Sequence, residues 1–278
     1  IYMIKQAIIP LAGLGTRLLP LTSVFAKELL PINGKPGLEY IIEECIEAGI
    51  KEIVFIISKK KLMIKKYFYN DKFYKDIIKK KNDPKIIKEY KKILKYKKMI
   101  KFVFQDKPLG TGDAVYKTKK FITDKYFLML LPDDLIIKKN CSKSMIAVHN
   151  KFKASVMASM KVNKNDVSRW GIYNIRKKID KNNFIINNVV EKPSIKTSPS
   201  NNAVIGRYIL PKTIFSKLKS LKPGKSGEFH ITDAIQALIE DDNQFIGHNF
   251  SGKYLDCGTM KGYIKSTLEI SKQWNFAW

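Results

Sequence analysis

The residues best suited to chemistry lie near the start of the chain, where a glycine-containing loop and two basic side chains follow a short apolar run. The run is Ala7–Leu11, the loop is Ala12-Gly13-Leu14-Gly15-Thr16-Arg17, and Lys27 lies ten residues beyond Arg17. Small residues let backbone N–H groups approach a ligand closely, and successive N–H groups can bind an anion. The guanidinium of Arg17 suits phosphate oxygens, and Lys27 could reach the same anion. We interpret this stretch as a polyphosphate site.

Two common phosphate motifs do not describe this stretch. The dinucleotide-binding motif requires Gly-x-Gly-x-x-Gly, but Leu18 occupies the sixth position counted from Gly13. The P-loop ends in Gly-Lys-Ser/Thr, which the stretch lacks. An ordinary strand and turn, in which the glycines serve only the turn, is the alternative that the residues leave open.

Two further polar positions follow apolar runs. Tyr126–Leu131 is followed by Pro132-Asp133-Asp134, and acids at the end of a buried strand are costly unless they are solvated or bind a cation. An aspartate that caps a helix is the alternative. Lys101–Gln105 is the third strand that we predict, and the amide of Gln105 could both donate to and accept from a pyrimidine edge. Gly110 follows in a loop that could also be structural only.

The pattern of elements that would position these residues is that of an α/β protein. Apolar residues at helical spacing from Leu38 to Ile46 predict a helix ending near Gly49, and Ile53–Ile57 predicts a second buried strand, which together make a βαβ unit. Ligands of such sheets bind outside the carboxyl ends of the strands. Residues 59–101 predict one or two helices with a lysine-rich face.

The second half of the sequence is richer in strand signals. Strands are predicted over Ala154–Val162 and Phe184–Val190. Thr232-Asp233 predicts a cap for a helix over Ala234–Ile239, and a long helix is predicted from Met260 to about Trp274.

Length and composition limit the possible classes of protein. The chain has 278 residues, which suits one or two domains, and its 52 basic against 25 acidic residues give a net charge of +27. Nucleic acid, an anionic membrane or an acidic substrate could each be a partner, although base recognition favours arginine and most of these residues are lysine. A solvated lysine-rich surface is the simpler interpretation, and we expect no specific nucleic acid and no membrane partner.

The cysteines and the apolar runs indicate the cellular compartment that we expect for the protein. Three cysteines, Cys45, Cys141 and Cys257, are far apart and odd in number, which favours neither a disulfide framework nor a metal site and suits a reducing cytoplasm. The first apolar run breaks at Gly13 without a cleavage-like end, so we do not expect a signal peptide. No stretch approaches about 18 apolar residues, the length that a membrane span needs.

A series of motifs follows along the chain: GLGTRLLP, AKELLP, PLGTGDAV, LLPDD, SRWGIY, EKP, AVIGRY, GEFHITDA and YLDCG. In this order they resemble the motifs of the sugar-1-phosphate nucleotidylyltransferases, and most closely those of the bacterial UTP–glucose-1-phosphate uridylyltransferases (UDP-glucose pyrophosphorylases). The resemblance extends from about Ala7 to Gly262 and departs from the usual pattern in three places. Ala26 replaces a proline, Asp113 replaces a histidine, and Phe229-His230 is inserted or varied.

The resemblance implies one domain over residues 1–278, a three-layer α/β/α sandwich with a mostly parallel, Rossmann-like mixed sheet. About residues 1–140 would bind the nucleotide, and about residues 141–278 would bind the sugar and include the C-terminal helix. UTP and glucose 1-phosphate would give UDP-glucose and pyrophosphate with Mg²⁺, in a homodimer or homotetramer. A thymidylyltransferase, an enzyme for another hexose phosphate and a non-catalytic regulatory relative are the alternatives.

The resemblance also implies roles for individual residues. Arg17, Lys27 and Lys192 would be catalytic, and Asp133 and Asp256 would ligate the metal. Pro193 predicts an extended conformation for Lys192. The residues implied to bind nucleotide are Ala12, Gly13, Leu14, Gly15, Thr16, Gln105 and Gly110. The residues implied to bind sugar are Gly171, Glu191 and Gly206.

Overall fold

A nine-stranded mixed sheet lies at the centre of the computed structural model, which describes residues 3–224 and 227–272. The strands in these residues are β1 (Gln6–Pro10), β2 (Pro31–Ile32), β3 (Lys35–Pro36), β4 (Glu52–Ile57), β5 (Ile100–Phe104), β6 (Tyr126–Leu130), β7 (Asp134–Ile137), β8 (Ser155–Lys161), β9 (Gly171–Lys178), β10 (Asn183–Glu191), β11 (Asn202–Pro211), β12 (Phe245–Asn249) and β13 (Lys253–Asp256). The order in the main sheet is β5-β4-β1-β6-β11-β8-β12-β10-β9, and β7–β13 and β2–β3 form small antiparallel pairs.

Helices cover both faces of this sheet. They are α1 (Gly37–Glu47), α2 (Leu62–Tyr69), α3 (Asp71–Lys81), α4 (Pro84–Met99), α5 (Thr111–Tyr116), α6 (Cys141–Phe152), α7 (Ile214–Ser220), α8 (Ile231–Glu240) and α9 (Met260–Ser271). Helices α1, α2, α4, α6 and α9 contribute to one hydrophobic core, and α5, α7 and α8 contribute to the other. The predicted α/β class is therefore observed.

The first half of the sheet is parallel because its strands are apolar on both faces. In β1, Ala7 and Ile9 pack into one core while Ile8 packs into the other. Strands β4 and β6 lie parallel to β1 on its two sides, and β5 lies parallel to β4. The predicted βαβ unit is confirmed, with α1 as the crossover and Gly49 just beyond its end. Strand β5 begins and ends one residue before the predicted limits.

The second half contradicts the prediction of a mostly parallel sheet. There, β11 is antiparallel to both β6 and β8, and β10 is antiparallel to both β9 and β12. Only β8 and β12 pair in parallel within this half of the described chain. Strand β9 also returns to β11 through Ala203 and Ile172, which closes five strands into a ring. Of these antiparallel pairs only β9 and β10 are consecutive strands joined by a short connection, whereas the others join strands that are distant in the chain.

The lysine-rich segment forms three helices where one or two were predicted. Helix α2 buries Ile64 and Phe68, and α4 buries Ile93 and Tyr96, as expected for helices with an apolar face. Helix α3 has no fully buried side chain. Lys61, which precedes α2, is buried, so the interpretation of these lysines as solvated is wrong at this position.

The remaining predicted elements are confirmed with shifted limits. Helix α8 begins at Ile231 after the cap residue His230, so Thr232-Asp233 lie in its first turn and the prediction that they cap it is wrong. Helix α9 matches the predicted terminal helix as far as Ser271, and the prediction beyond residue 272 lies outside the described residues. No helix in residues 3–224 and 227–272 combines the length and apolar character needed to cross a membrane.

Candidate active site

A cleft of about 430 Å³ lies where β1, β5 and β6 end. Their carboxyl ends meet at one edge of the sheet, where ligands of open α/β sheets bind. Every residue that the resemblance assigns to nucleotide binding lines this cleft, together with Lys27 and Asp133. The assigned nucleotide residues are Ala12, Gly13, Leu14, Gly15, Thr16, Gln105 and Gly110. The fold thus brings together three segments that are far apart in the sequence.

The loop after β1 owes its shape to its glycines. Gly15 has a left-handed backbone with φ of 69°, and its carbonyl accepts a 2.8 Å hydrogen bond from the Thr22 hydroxyl. A side chain at Gly13 would meet no atom within 4 Å, so this position opens toward the cleft. Ala26, which replaces the proline usual in the resemblance, has φ of −67°, close to the angle that proline fixes. The departure at Ala26 therefore leaves the backbone before Lys27 in a proline-like conformation.

Two of the three predicted catalytic cations, Lys27 and Arg17, meet at Asp133, whereas Lys192 lies beside Glu191. Lys27 Nζ lies 2.7 Å and Arg17 Nη2 lies 3.8 Å from Asp133 Oδ2. Burial by itself would raise the pKa of Asp133, but the Lys27 ammonium and the Arg17 guanidinium hold this pKa below its ordinary value. Asp133 in turn raises the pKa of Lys27 against the effect of burial. The Asp133 carboxylate and the Lys27 ammonium therefore stay ionised at neutral pH.

Asp133 and Asp256 face a shared space beside Gly258. A Cβ atom placed on Gly258 would lie 2.8 Å from Asp133 Oδ2 and 3.2 Å from Asp256 Oδ1. Arg17 Nη2 would lie 3.2 Å from the same Cβ atom, so the guanidinium borders this space as well. No group of three or more potential ligand side chains forms in the described residues. Two carboxylates beside one small space suit Mg²⁺, which keeps several waters and takes further ligands from substrate phosphates. The residues present therefore fit Mg²⁺.

Asp134 differs from its neighbour Asp133 in its hydrogen-bond partners. The Tyr254 hydroxyl donates to Asp134 Oδ1 at 2.7 Å, and the Gly206 backbone N–H donates to Oδ2 at 2.8 Å. Burial and the nearby charge of Asp133 raise the pKa of Asp134 to about 6. A Cβ atom on Gly206 would lie within 2.6 Å of Asp134 Oδ2, so close packing explains the glycine at this predicted sugar-binding position.

Arg207 supports this strand end, and the sequence analysis did not give it a role. Its side chain is fully buried and donates to both carboxylate oxygens of Glu44 at 2.8 to 3.1 Å. It also donates to the carbonyls of Leu131 and Asp134, on either side of Pro132-Asp133. An arginine inside an otherwise apolar strand is rarely buried without a partner, and that is the signal that could have identified it.

Gln105 is buried in the cleft wall with a defined amide orientation. Its Nε2 donates to the Gly110 carbonyl at 3.0 Å and to Asp113 Oδ2 at 2.8 Å. Both partners can only accept, so the amide hydrogens face them and Oε1 keeps its capacity to accept from a ligand. Asp113, which replaces the histidine usual in the resemblance, also lies 3.2 Å from Lys117 Nζ.

Glu228 and His230 line the cleft but were noted only as part of a motif. They flank Phe229, whose backbone carbonyl would lie 2.5 Å from a Cβ atom on Gly110. Gly110 has φ of 93°, a conformation that favours glycine, and the Gly112 N–H donates to the Phe229 carbonyl at 2.7 Å. This close approach of two backbones closes one side of the cleft.

Two of the predicted sugar residues, Gly171 and Glu191, form a second group outside the lining of this cleft, whereas Gly206 packs against Asp134. Glu191 ends β10 opposite Gly171 of β9, and Lys192 Nζ lies 3.9 Å from Glu191 Oε1. Glu191 lines a separate cavity of about 390 Å³ with Asn188 and Asp233. The extended conformation predicted for Lys192 is wrong, because its φ of 45° turns the backbone out of the strand after its N–H bonds to the Trp170 carbonyl.

Comparison with known proteins agrees with this arrangement. The family model described as nucleotidyl transferase matches residues 6–273. UTP–glucose-1-phosphate uridylyltransferase 2 of Staphylococcus saprophyticus is 37% identical over 269 residues, which cover 96% of this chain and 92% of that protein. UTP–glucose-1-phosphate uridylyltransferase of Bacillus subtilis is 35% identical over 271 residues, covering 97% and 92%. The crystal structure of a UDP-glucose pyrophosphorylase complexed with UDP-glucose is 33% identical, with a TM-score of 0.85 and coverage of 98% of this chain and 100% of that one.

Proposed function

Because the chain belongs to the nucleotidyl transferase family, we propose that it is a UTP–glucose-1-phosphate uridylyltransferase. It makes UDP-glucose and pyrophosphate from UTP and glucose 1-phosphate. The observation that carries this proposal is the cleft in which the glycine loop, Gln105, Lys27 and Asp133 meet. The match over nearly the whole length to proteins with this name supports the choice of substrates.

The reaction needs positioning and charge neutralisation more than covalent help from the protein. A phosphate oxygen of glucose 1-phosphate attacks the α-phosphorus of UTP in line. The new oxygen–phosphorus bond forms as the bond from the α-phosphorus to the oxygen bridging to the β-phosphate breaks, and pyrophosphate leaves. Backbone N–H groups of residues 12–16 hold the triphosphate, and Arg17 and Lys27 stabilise the leaving pyrophosphate. When bound by Asp133 and Asp256, Mg²⁺ offsets charge on the phosphate oxygens.

Base and sugar are recognised on different sides of the reacting phosphates. Gln105 Oε1 accepts from the N3–H of uracil, since both amide hydrogens of Gln105 are already engaged. Glu191 accepts from sugar hydroxyls beside Gly171 and Gly206, and Lys192 holds the sugar phosphate. This assigns about residues 1–140 to the nucleotide and about residues 141–278 to the sugar, within one domain.

Assembly and location extend the same proposal. The protein is a homodimer or homotetramer in a reducing cytoplasm, where its three free cysteines are stable as thiols. Sedimentation velocity would test the assembly, and a monomer at micromolar concentration would contradict it.

The decisive experiment measures products rather than phosphate release alone. Purified protein is incubated with Mg²⁺, UTP and glucose 1-phosphate, and UDP-glucose and pyrophosphate are quantified by chromatography. Equal amounts of both products are expected, with none when either substrate is omitted. Parallel reactions with dTTP or galactose 1-phosphate address the neighbouring specificities. Tight UDP-glucose binding without turnover would identify a regulatory protein instead.

A further inference from the structure

A buried ion pair lies next to Lys27, one of the cations that we propose to bind phosphate. Lys61 Nζ contacts both carboxylate oxygens of Glu28, at 2.7 and 2.9 Å. The Lys61 side chain is 9% exposed and the Glu28 side chain is 1% exposed. Glu28 follows Lys27 in the chain and also lines the nucleotide cleft. The pair therefore connects the turn before α2 to the loop that carries Lys27.

The pair belongs to a row of alternating charges. Lys61 contacts Glu28, Glu28 adjoins Lys27, Lys27 contacts Asp133, and Asp133 lies near Arg17. A carboxylate as buried as that of Glu28 is stable only with a cation at hydrogen-bonding distance. Lys61 supplies this cation, and the charge of Glu28 also acts on Lys27. If Lys61 lost its charge, Glu28 would be left to draw on Lys27, the neighbouring residue whose charge already interacts with it.

We propose that Lys61 is a positioning residue that neutralises Glu28 and so keeps Lys27 available for the triphosphate. Lys61 itself does not contact the substrate. This inference rests on the proposed function, because it takes UTP as the ligand of the cleft, and it adds a residue from outside the family motifs quoted above.

The test compares UTP with uridine, which has the base and ribose but no phosphate. Lys61→Met should weaken UTP binding about 10-fold, as expected when an interaction with charged groups is lost, and leave uridine binding unchanged. The double variant Lys61→Met/Glu28→Gln removes both charges, frees Lys27 and should restore UTP affinity to within about 2-fold of wild type. Isothermal titration at a temperature well below each variant's melting temperature supplies the affinities.

Lys92→Met is a matched control, because Lys92 Nζ pairs with the buried carboxylate of Glu39 at 2.9 Å outside the cleft lining. It should lower the melting temperature and leave UTP affinity unchanged. If Lys61→Met does not fold, Lys61→Gln, which keeps a donor for Glu28 but no charge, should show the same selective loss of UTP binding.

Four results would overturn the inference. Normal UTP binding by folded Lys61→Met or Lys61→Gln would mean that Lys61 does not control Lys27. Equal losses for UTP and uridine would indicate general damage to the cleft. A double variant that stays weak would mean that Lys61 binds the phosphates directly. Failure of the proposed function would be visible separately, as absence of UTP binding by the wild-type protein, and would overturn the inference as well.

Discussion

At the residue scale, the basic side chains and a metal ion beside Gly258 would compete for the carboxylate of Asp133. Its Oδ2 is bonded to Lys27 and lies within ion-pair distance of Arg17, while the same carboxylate faces Asp256 across the space beside Gly258. A cation bound there would weaken the hold of Asp133 on Lys27, and the ammonium could then turn to a phosphate. Under the proposed function, the ion pair with Asp133 would keep Lys27 in the cleft until a polyphosphate binds.

Arg17→Ala should lower turnover about 100-fold or more, because it removes one charged donor from the developing pyrophosphate. Stability should be nearly unchanged, since the Arg17 side chain is 67% exposed and such ion pairs contribute little. Turnover is measured by product formation, and folding by the melting temperature. Arg176→Ala, at an exposed arginine of β9, is the control. Near-normal turnover in folded Arg17→Ala would exclude Arg17 from the mechanism.

Gly258→Ala should abolish metal binding without unfolding the chain. The added methyl group would lie 2.8 Å from Asp133 Oδ2 and fill the space between the two carboxylates. Binding of Mn²⁺ as a probe, followed by water proton relaxation, should fall to the level of Asp133→Asn. Asp256→Asn should weaken the probe strongly. Unchanged Mn²⁺ binding in these variants, or full activity in a chelator, would remove the metal from this position.

At the element scale, the end of β10 presents Glu191 and Lys192 at an exposed turn. Glu191→Ala should raise the KM for glucose 1-phosphate about 10-fold, with UTP binding nearly unchanged, since hydrogen bonds to charged groups contribute about 1.5–3 kcal/mol. Lys192→Ala should weaken glucose 1-phosphate far more than it weakens glucose. Separate titrations with UTP and the two sugars give the comparison.

Lys196→Ala, at an exposed lysine in the same loop, is the control for these two variants. Equal losses for UTP and glucose 1-phosphate, or no loss for either, would leave Glu191 and Lys192 as surface residues.

Also at the element scale, His149 near the end of α6 should make the stability of the protein depend on pH. His149 Nδ1 donates to the Ala154 carbonyl at 2.7 Å, while buried Nε2 has no partner in the described residues. Burial lowers the pKa of His149, so the unfolded chain binds a proton near pH 6.5 that the folded chain does not. Stability should therefore fall as the pH drops below about 6.5.

The variant His149→Phe keeps a ring against Tyr126 and removes this titration. Its melting temperature should change less between pH 7 and pH 5 than that of the wild type. Parallel curves for the two proteins would contradict the assignment.

At the scale of the whole molecule, the net charge of +27 should produce only weak binding to DNA. Unspecific phosphate contacts release counterions, so the affinity should fall steeply as salt rises. Fluorescence anisotropy with unrelated duplexes at several salt concentrations checks this. Tight, sequence-selective binding at physiological salt would contradict the interpretation of the lysines as a solvated surface.

The sequence predicted the first half of the fold well because the relevant signals are local. Continuous apolar runs such as Ile53–Ile57 indicate strands buried on both faces, and the helical spacing around Leu38 indicates the crossover. The antiparallel second half was not predicted, since pairing between distant strands leaves no short-range pattern. Asp133 could be selected over Asp134 only through the resemblance, and the structure now supplies a physical difference between their environments.

What the sequence determined by itself is the set of chemical groups and their placement at strand ends, because residue type and period are properties of the chain. Only the tertiary structure decided which charges meet. Glu28 lies opposite Lys61, and Glu44 lies opposite Arg207, through contacts between segments distant in the chain. A lysine in a run of lysines gives no sign that it is buried. Lys61 is buried because the turn before α2 packs against the loop that carries Glu28, and that packing is a property of the folded molecule.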